Sequence, residues 1–169
     1  MIADHYRLFA RYNAWANRRL YDACLALPTG EAVRQRPSFF GSIVATLNHL
    51  LVADRIWFGR IEGVDYGARR LDEVLYANLE HLYAAREDFD AHIIAVTEAW
   101  DDRRVMQPLR YTNLAGDVFE QPLQVVLAHV FNHQTHHRGQ VHDMLSQCEG
   151  AAPPPPLDLI FYYREVSAT

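Results

Sequence analysis

Apolar residues along the chain recur mostly at helical spacing, and long polar loops are few. The first run carries Leu8, Phe9, Tyr12, Trp15, Leu20 and Leu25 and predicts a helix from about Asp4 to Leu27, stopped before Pro28. Ser42 is a good N-cap, so a second helix is expected from there to Glu62-Gly63. A third is expected from about Asp72 to Trp100, and a fourth opens after Pro122, read as a proline of the first helical turn, and ends before Gly150. Between helices three and four, LRYTNLAGDVFEQP alternates in short steps around Ala115, Gly116 and Asp117, which predicts a small β-hairpin. Four prolines, Pro153 to Pro156, make a stiff connector that stops any helix; LDLIFYYREV then predicts a short closing helix.

Four helices of roughly 20–30 residues suit an all-α bundle, whose inward faces commonly host metal or ligand sites. The eight residues from Gly63 to Arg70 span at most roughly 28 Å when extended. They could just cross a bundle's length, so loop length leaves the helix directions open.

Composition narrows the class. The chain has 169 residues, which suits one domain over 1–169, and half of them are apolar, enough for a sizeable core. The formal net charge is -5, and an electrostatic nucleic-acid binder needs the opposite footprint. All 16 basic residues are Arg; without Lys there is neither Schiff-base lysine chemistry nor a P-loop lysine. The pairs Arg18-Arg19, Arg69-Arg70 and Arg103-Arg104 read as solvated faces. Cys24 and Cys148 stand far apart and form no C-x-x-C, so a disulfide scaffold is not expected and the cytoplasm is the default location. The N-terminal segment lacks the apolar core of a signal peptide, and no run approaches the ~18 apolar residues of a membrane span.

Histidine stands out: nine occur, and four of them fall between 129 and 137. In AHVFNHQTHHRGQVH, His129, His133 and His137 are successive i, i+4 neighbours and share one stripe of the helix, bordered by His136 and extended by Gln140. Val126, Val130 and Val141 flank that stripe and turn it inward. Converging buried imidazoles need a metal, a carboxylate or water to satisfy their nitrogens. His133 and His137 have the spacing with which one helix presents two imidazoles to one ion. The run His133-Gln134-Thr135-His136-His137 is not H-E-x-x-H, and Gln134 cannot take a proton, so zincin-type peptide hydrolysis is excluded.

A third ligand must come from elsewhere, and His49, among the small neighbours Ala45, Thr46, Val52 and Ala53, is the candidate. Two readings of His49 stand side by side: a ligand, or a core histidine hydrogen-bonded to one neighbour. Arg138 likewise reads either as a grip for a substrate carboxylate or as a structural pair with an acid on a neighbouring helix. Asn13, Trp15 and Asn17 are candidate pocket residues, with Trp15 equally a plain core residue, and Asn48 and Gln140 are candidates for orienting imidazoles. Asp54 and Glu80 are candidate general acids or bases. Gly139, in mid-helix, costs about 1 kcal/mol against Ala, which tight helix packing could justify.

Three segments, YNAWANRRLYD, LNHLLVADRIWF and HVFNHQTHHRGQVH, carry a resemblance to the DinB-like family of metalloenzymes that covers nearly the whole chain. The last is the most specific, because it sets histidines, Arg138, Gly139 and Gln140 together. The resemblance implies a four-helix bundle of up-down-down-up topology and a homodimer. It also implies a three-histidine metal site on His49, His133 and His137, with His129 and His136 around the ligands or in a pocket. Three imidazoles leave a tetrahedral ion one open position. Zinc or nickel is the expected metal, with iron also suited. The wider family resembles transferases and isomerases that use low-molecular-weight thiols. The expectation is therefore a metal-dependent transferase that activates a small thiol, or water, against a small electrophile. The alternative is a non-catalytic metal- or ligand-binding protein of the stress response. Neither direct nucleic-acid binding nor membrane association is expected.

Overall fold

The structure is a computed structural model and describes residues 1–168. It is mostly helical, with one two-stranded antiparallel sheet and a C-terminal helix. Helix α1 spans Ile2–Leu25 and α2 spans Ile43–Glu62, with a single 3-10 turn at Glu31–Val33 between them. Ser42 caps α2 as expected, its hydroxyl accepting from the Ala45 N–H at 3.1 Å. Gly63, in the left-handed conformation at φ 71°, ends it.

Helix α3 begins at Leu79 and ends at Glu98, seven residues later at its start than the pattern predicts. The cause is a competing bond. Asn48, fully buried in α2, donates to the Tyr76 carbonyl at 2.8 Å and accepts from the Tyr76 N–H at 2.9 Å. Those two backbone groups are the ones a helix through Asp72 would need. Asn78 then caps α3 instead, accepting from the His81 N–H at 2.8 Å. A four-residue helix, α4 (Asp102–Val105), follows under an Asp101 cap; the sequence reading does not foresee it.

The hairpin forms where expected. Strands β1 (Pro108–Thr112) and β2 (Val118–Pro122) pair from Pro108↔Pro122 to Thr112↔Val118. Asn113 organises the turn, its carboxamide oxygen accepting from the N–H groups of Ala115 and Asp117 at 2.9 Å each. Pro122 is extended and belongs to this ladder, so it precedes α5 (Leu123–Ser146) rather than opening its first turn. Helix α6 covers Leu159–Ser167 and docks on α1 by setting Tyr162 against Tyr12 and Trp15, with ring centroids 6.0 and 5.6 Å apart.

Helix α1 packs on α3 and α5, and α2 packs on α5 and α3. The shared core holds Leu20, Leu47, Phe58, Leu82, Leu127 and Val141, all sealed from solvent. At roughly 2–5 kcal/mol per Leu side chain against Ala, this layer fixes the α2–α5 contact on which the histidines depend. Gly139 departs from expectation: a Cβ built there meets nothing within 4 Å, so no neighbouring helix requires its small size. Among the described residues, no helix is long and apolar enough to cross a membrane.

Candidate metal centre

The α2–α5 contact sets His49 against His133, 84 positions further along the chain, with their Nε2 atoms 3.1 Å apart. His137, one turn beyond His133, completes the group: its ring centroid lies 4.6 Å from that of His49 and 4.4 Å from that of His133. One ring nitrogen from each of the three lies within 4.8 Å of the others. Two imidazole nitrogens on one tetrahedral ion, at the usual zinc–nitrogen distance, sit roughly 3.3 Å apart. The spacing of His49 and His133 therefore suits one shared ion. Among the described residues, no carboxylate or cysteine joins the cluster.

Outer hydrogen bonds set the tautomers. The His49 Nδ1 lies 2.7 Å from the Leu71 carbonyl, which can only accept, so Nδ1 carries the proton and Nε2 keeps a lone pair. His137 Nδ1–H donates to the Gln140 carboxamide oxygen at 2.8 Å, and the other end of that amide donates to His136 Nε2 at 3.2 Å. Two of the three imidazoles are thus held with Nε2 free to bind a cation.

Electrostatics act in the same direction. Burial lowers the basicity of all three: His133 is pushed down to about 3, with the neighbouring histidines adding to the effect of burial. His49 and His137 are also lowered by burial, partly offset by their bonds to Leu71 and Gln140. Near neutrality the rings are uncharged, which is the ligating form. Phe40 covers the group, its ring stacked on His49 with centroids 4.1 Å apart and edge-on to His137 at 5.6 Å.

The other candidates fall into place around this group. His129 stands one turn away, facing Trp57 and His133 at 5.2 and 5.7 Å between ring centroids, outside the cluster of three. Gln140 orients His137 directly. Asn48 touches no imidazole; by holding Tyr76 it steadies the connector that presents the Leu71 carbonyl to His49. Trp15 packs against Tyr162, with its N–H on Glu165.

Asp54, Asn13, Asn17 and Arg138 belong to a buried polar network beneath the site. Arg86 bridges Asp54 at 2.7 Å and Asp90 at 3.0 Å, which occupies Asp54 as a structural ion. Gln134 donates to Asp54, and Asn13 and Asn17 donate to Asp90 at 3.1 and 3.0 Å. Arg138 donates from Nη1 to Asn13, to Asn17 at 3.2 Å and to Gln134 at 3.3 Å. It therefore makes no direct ion pair among the described residues. Glu80 lies exposed in the first turn of α3. Cys24 is buried, and its thiol is pushed up to about 12 by that burial, with Cys148 adding to it.

Two contributors escape sequence reasoning. The Leu71 carbonyl carries no side-chain signal at all. Phe40 sits in the loop before α2, where an aromatic residue has no periodicity to declare its direction.

A protein-family model described as the DinB family matches residues 1–165. Protein DinB of Bacillus subtilis (strain 168) is 27% identical over 149 residues, which cover 85% of this chain and 86% of that protein.

Proposed function

Because the chain belongs to the DinB family, we propose that it is a metalloprotein whose His49, His133 and His137 hold a divalent transition ion, zinc or nickel, with iron also suited. The observation that carries this reading is the convergence of three imidazole nitrogens within 4.8 Å, two of them with their tautomers set by outer acceptors. The ion would supply Lewis acidity and one open position for a small thiol or a water. The protein would act as a transferase that joins that nucleophile to a small electrophile. The residues' part is to stay neutral, to aim their nitrogens, and, through Phe40, to limit water at His49. The four long helices would form an up-down-down-up bundle, and two chains a homodimer.

Metal content per chain, measured by mass spectrometry on untagged protein, tests the centre. Near-stoichiometric zinc, nickel or iron that disappears in His49→Ala supports it. No metal in either protein, even after incubation with excess ions, overturns it.

One observation favours a second reading, a non-catalytic metal-binding protein of the stress response. No carboxylate or cysteine among the described residues joins the three imidazoles, and Asp54 is spent on Arg86. Metal-loaded protein mixed with a cysteine-based thiol and an alkylating electrophile separates the two. Thiol consumption no faster than with His49→Ala favours the second reading.

A further inference from the structure

On the side of α5 turned away from the histidine triad, the helix borders a cavity of about 510 Å³. With about 3.6 residues per turn, Thr135, Gly139 and His142 point opposite to His133 and His137. Phe9 of α1 and Leu157 and Leu159 around the start of α6 give the cavity apolar walls; Tyr12 and Arg138 give it a polar end. That volume is in the usual range for a small-molecule site.

Arg138 is 2% exposed, and its surroundings differ from those of the other buried guanidinium. Arg86 has two carboxylates; Arg138 has none within ion-pair distance among the described residues. Its hydrogen bonds leave from Nη1 and end on the amide oxygens of Asn13, Asn17 and Gln134. The Tyr12 ring lies 5.4 Å from the guanidinium carbon; its hydroxyl donates to the Leu157 carbonyl at 2.7 Å and turns its oxygen, as an acceptor, to Arg138. Nε and Nη2 donate to no amide or carboxylate among the described residues, and Arg138 lines the cavity. Its charge is balanced only at a distance, through Asn13 and Asn17 to Asp90, so a carboxylate placed directly on the guanidinium adds a charge-assisted pair.

Gly139 is an independent sign. It lines the same cavity, a Cβ there would meet nothing within 4 Å, and glycine is among the poorest helix formers. Packing does not call for it; its effect is to keep the cavity open beside Arg138.

We propose that this cavity binds a small organic monocarboxylate with an apolar body, its carboxylate on the free edge of Arg138 and its hydrocarbon against Phe9, Leu157 and Leu159. Asp158, exposed on the rim, repels a second negative charge and so selects monoanions. His142 donates Nε2–H to the Pro155 carbonyl at 3.0 Å and holds the proline connector in place as a wall. The site needs no metal and stands whether or not the triad holds one.

Titrations of the full ¹⁵N-labelled chain with hexanoate, hexan-1-ol and inorganic phosphate, followed by amide chemical shifts, test this. Hexanoate is expected to move amides of residues 135–142 and 156–159 and to bind about tenfold or more tightly than hexan-1-ol. Gly139→Leu puts a side chain into the cavity, its Cβ meeting nothing within 4 Å, and should weaken hexanoate at least about tenfold, with the metal content unchanged. Arg138→Gln should bring hexanoate down to the level of the alcohol; where that variant fails to fold, Gly139→Leu decides. Equal binding of acid and alcohol, phosphate binding as tight as hexanoate, or hexanoate binding that survives Gly139→Leu overturns the proposal. So do shifts centred on His49, His133 and His137.

Discussion

Replacing Gln140 by Leu removes the acceptor for His137 Nδ1–H and keeps the side chain's size and helix preference. In the folded protein the carboxamide oxygen lies 2.8 Å from that nitrogen and fixes which ring atom faces the cluster. Loss of such an outer partner costs roughly 10–100-fold in metal affinity, about 1.4–2.7 kcal/mol. Gln140 is only half-buried, so water can take over the freed N–H, and the expected loss lies near the lower end, about tenfold. Competition of zinc between the protein and a chromogenic chelator at pH 7.5 reads this directly, with circular dichroism as the check on folding. Gln140→Glu should move the other way, since a carboxylate accepts more strongly and raises the ligand's basicity. Unchanged affinity in both variants would refute the argument that tautomer control at His137 matters. Loss of the helical signal in Gln140→Leu would instead assign Gln140 to stability.

Further outcomes follow from the same structure. Metal-free protein should lose stability as pH falls from about 6.5 toward about 3: the folded pKa of His133 is depressed, so the unfolded chain binds protons first. Urea midpoints at pH 7.5 and 5 should show the loss, and His133→Gln should make the profile flatter; an equal slope in that variant would remove His133 as its source. Metal occupancy should fall below about pH 6, because protons compete for the imidazoles; full occupancy at pH 4.5 would count against a three-histidine site. Arg86→Met leaves Asp54 and Asp90 buried without their cation and should cost about 3–5 kcal/mol in chemical denaturation. Asn48→Ala should cost about 1–3 kcal/mol and speed hydrogen exchange at Tyr76, with weaker metal binding through the loosened Leu71 carbonyl.

The parts legible from sequence were those with a local rule behind them. Ser42 and the spacing of apolar residues declare α2, and the alternation around Ala115, Gly116 and Asp117 declares the hairpin, because both depend on neighbours in the chain. The stripe His129-His133-His137 is visible for the same reason. That His49 meets it depends on how α2 and α5 pack, which no local rule states; family resemblance supplied that link. The start of α3 was misplaced because a single buried amide, Asn48, reaches across 28 positions to claim the backbone of Tyr76. Arg138 reaches an acid on a neighbouring helix only indirectly. Its charge is met through a relay of amides, Asn13 and Asn17, that ends on Asp90. A relay of that kind has no spacing signature.

The separation of His49 from its two partners also bears on how the protein is made. A ribosome adding roughly 5–20 residues per second takes about 4–17 s to travel the 84 positions from His49 to His133. During that interval α2 displays a lone imidazole, a weak and unselective ligand. The two nitrogens of α5 arrive together after it, with the helix that must dock to bring them in range. An ion gripped by all three would therefore mark a chain in which α2 and α5 have docked, and through that interval the nascent protein offers no trap for scarce metals.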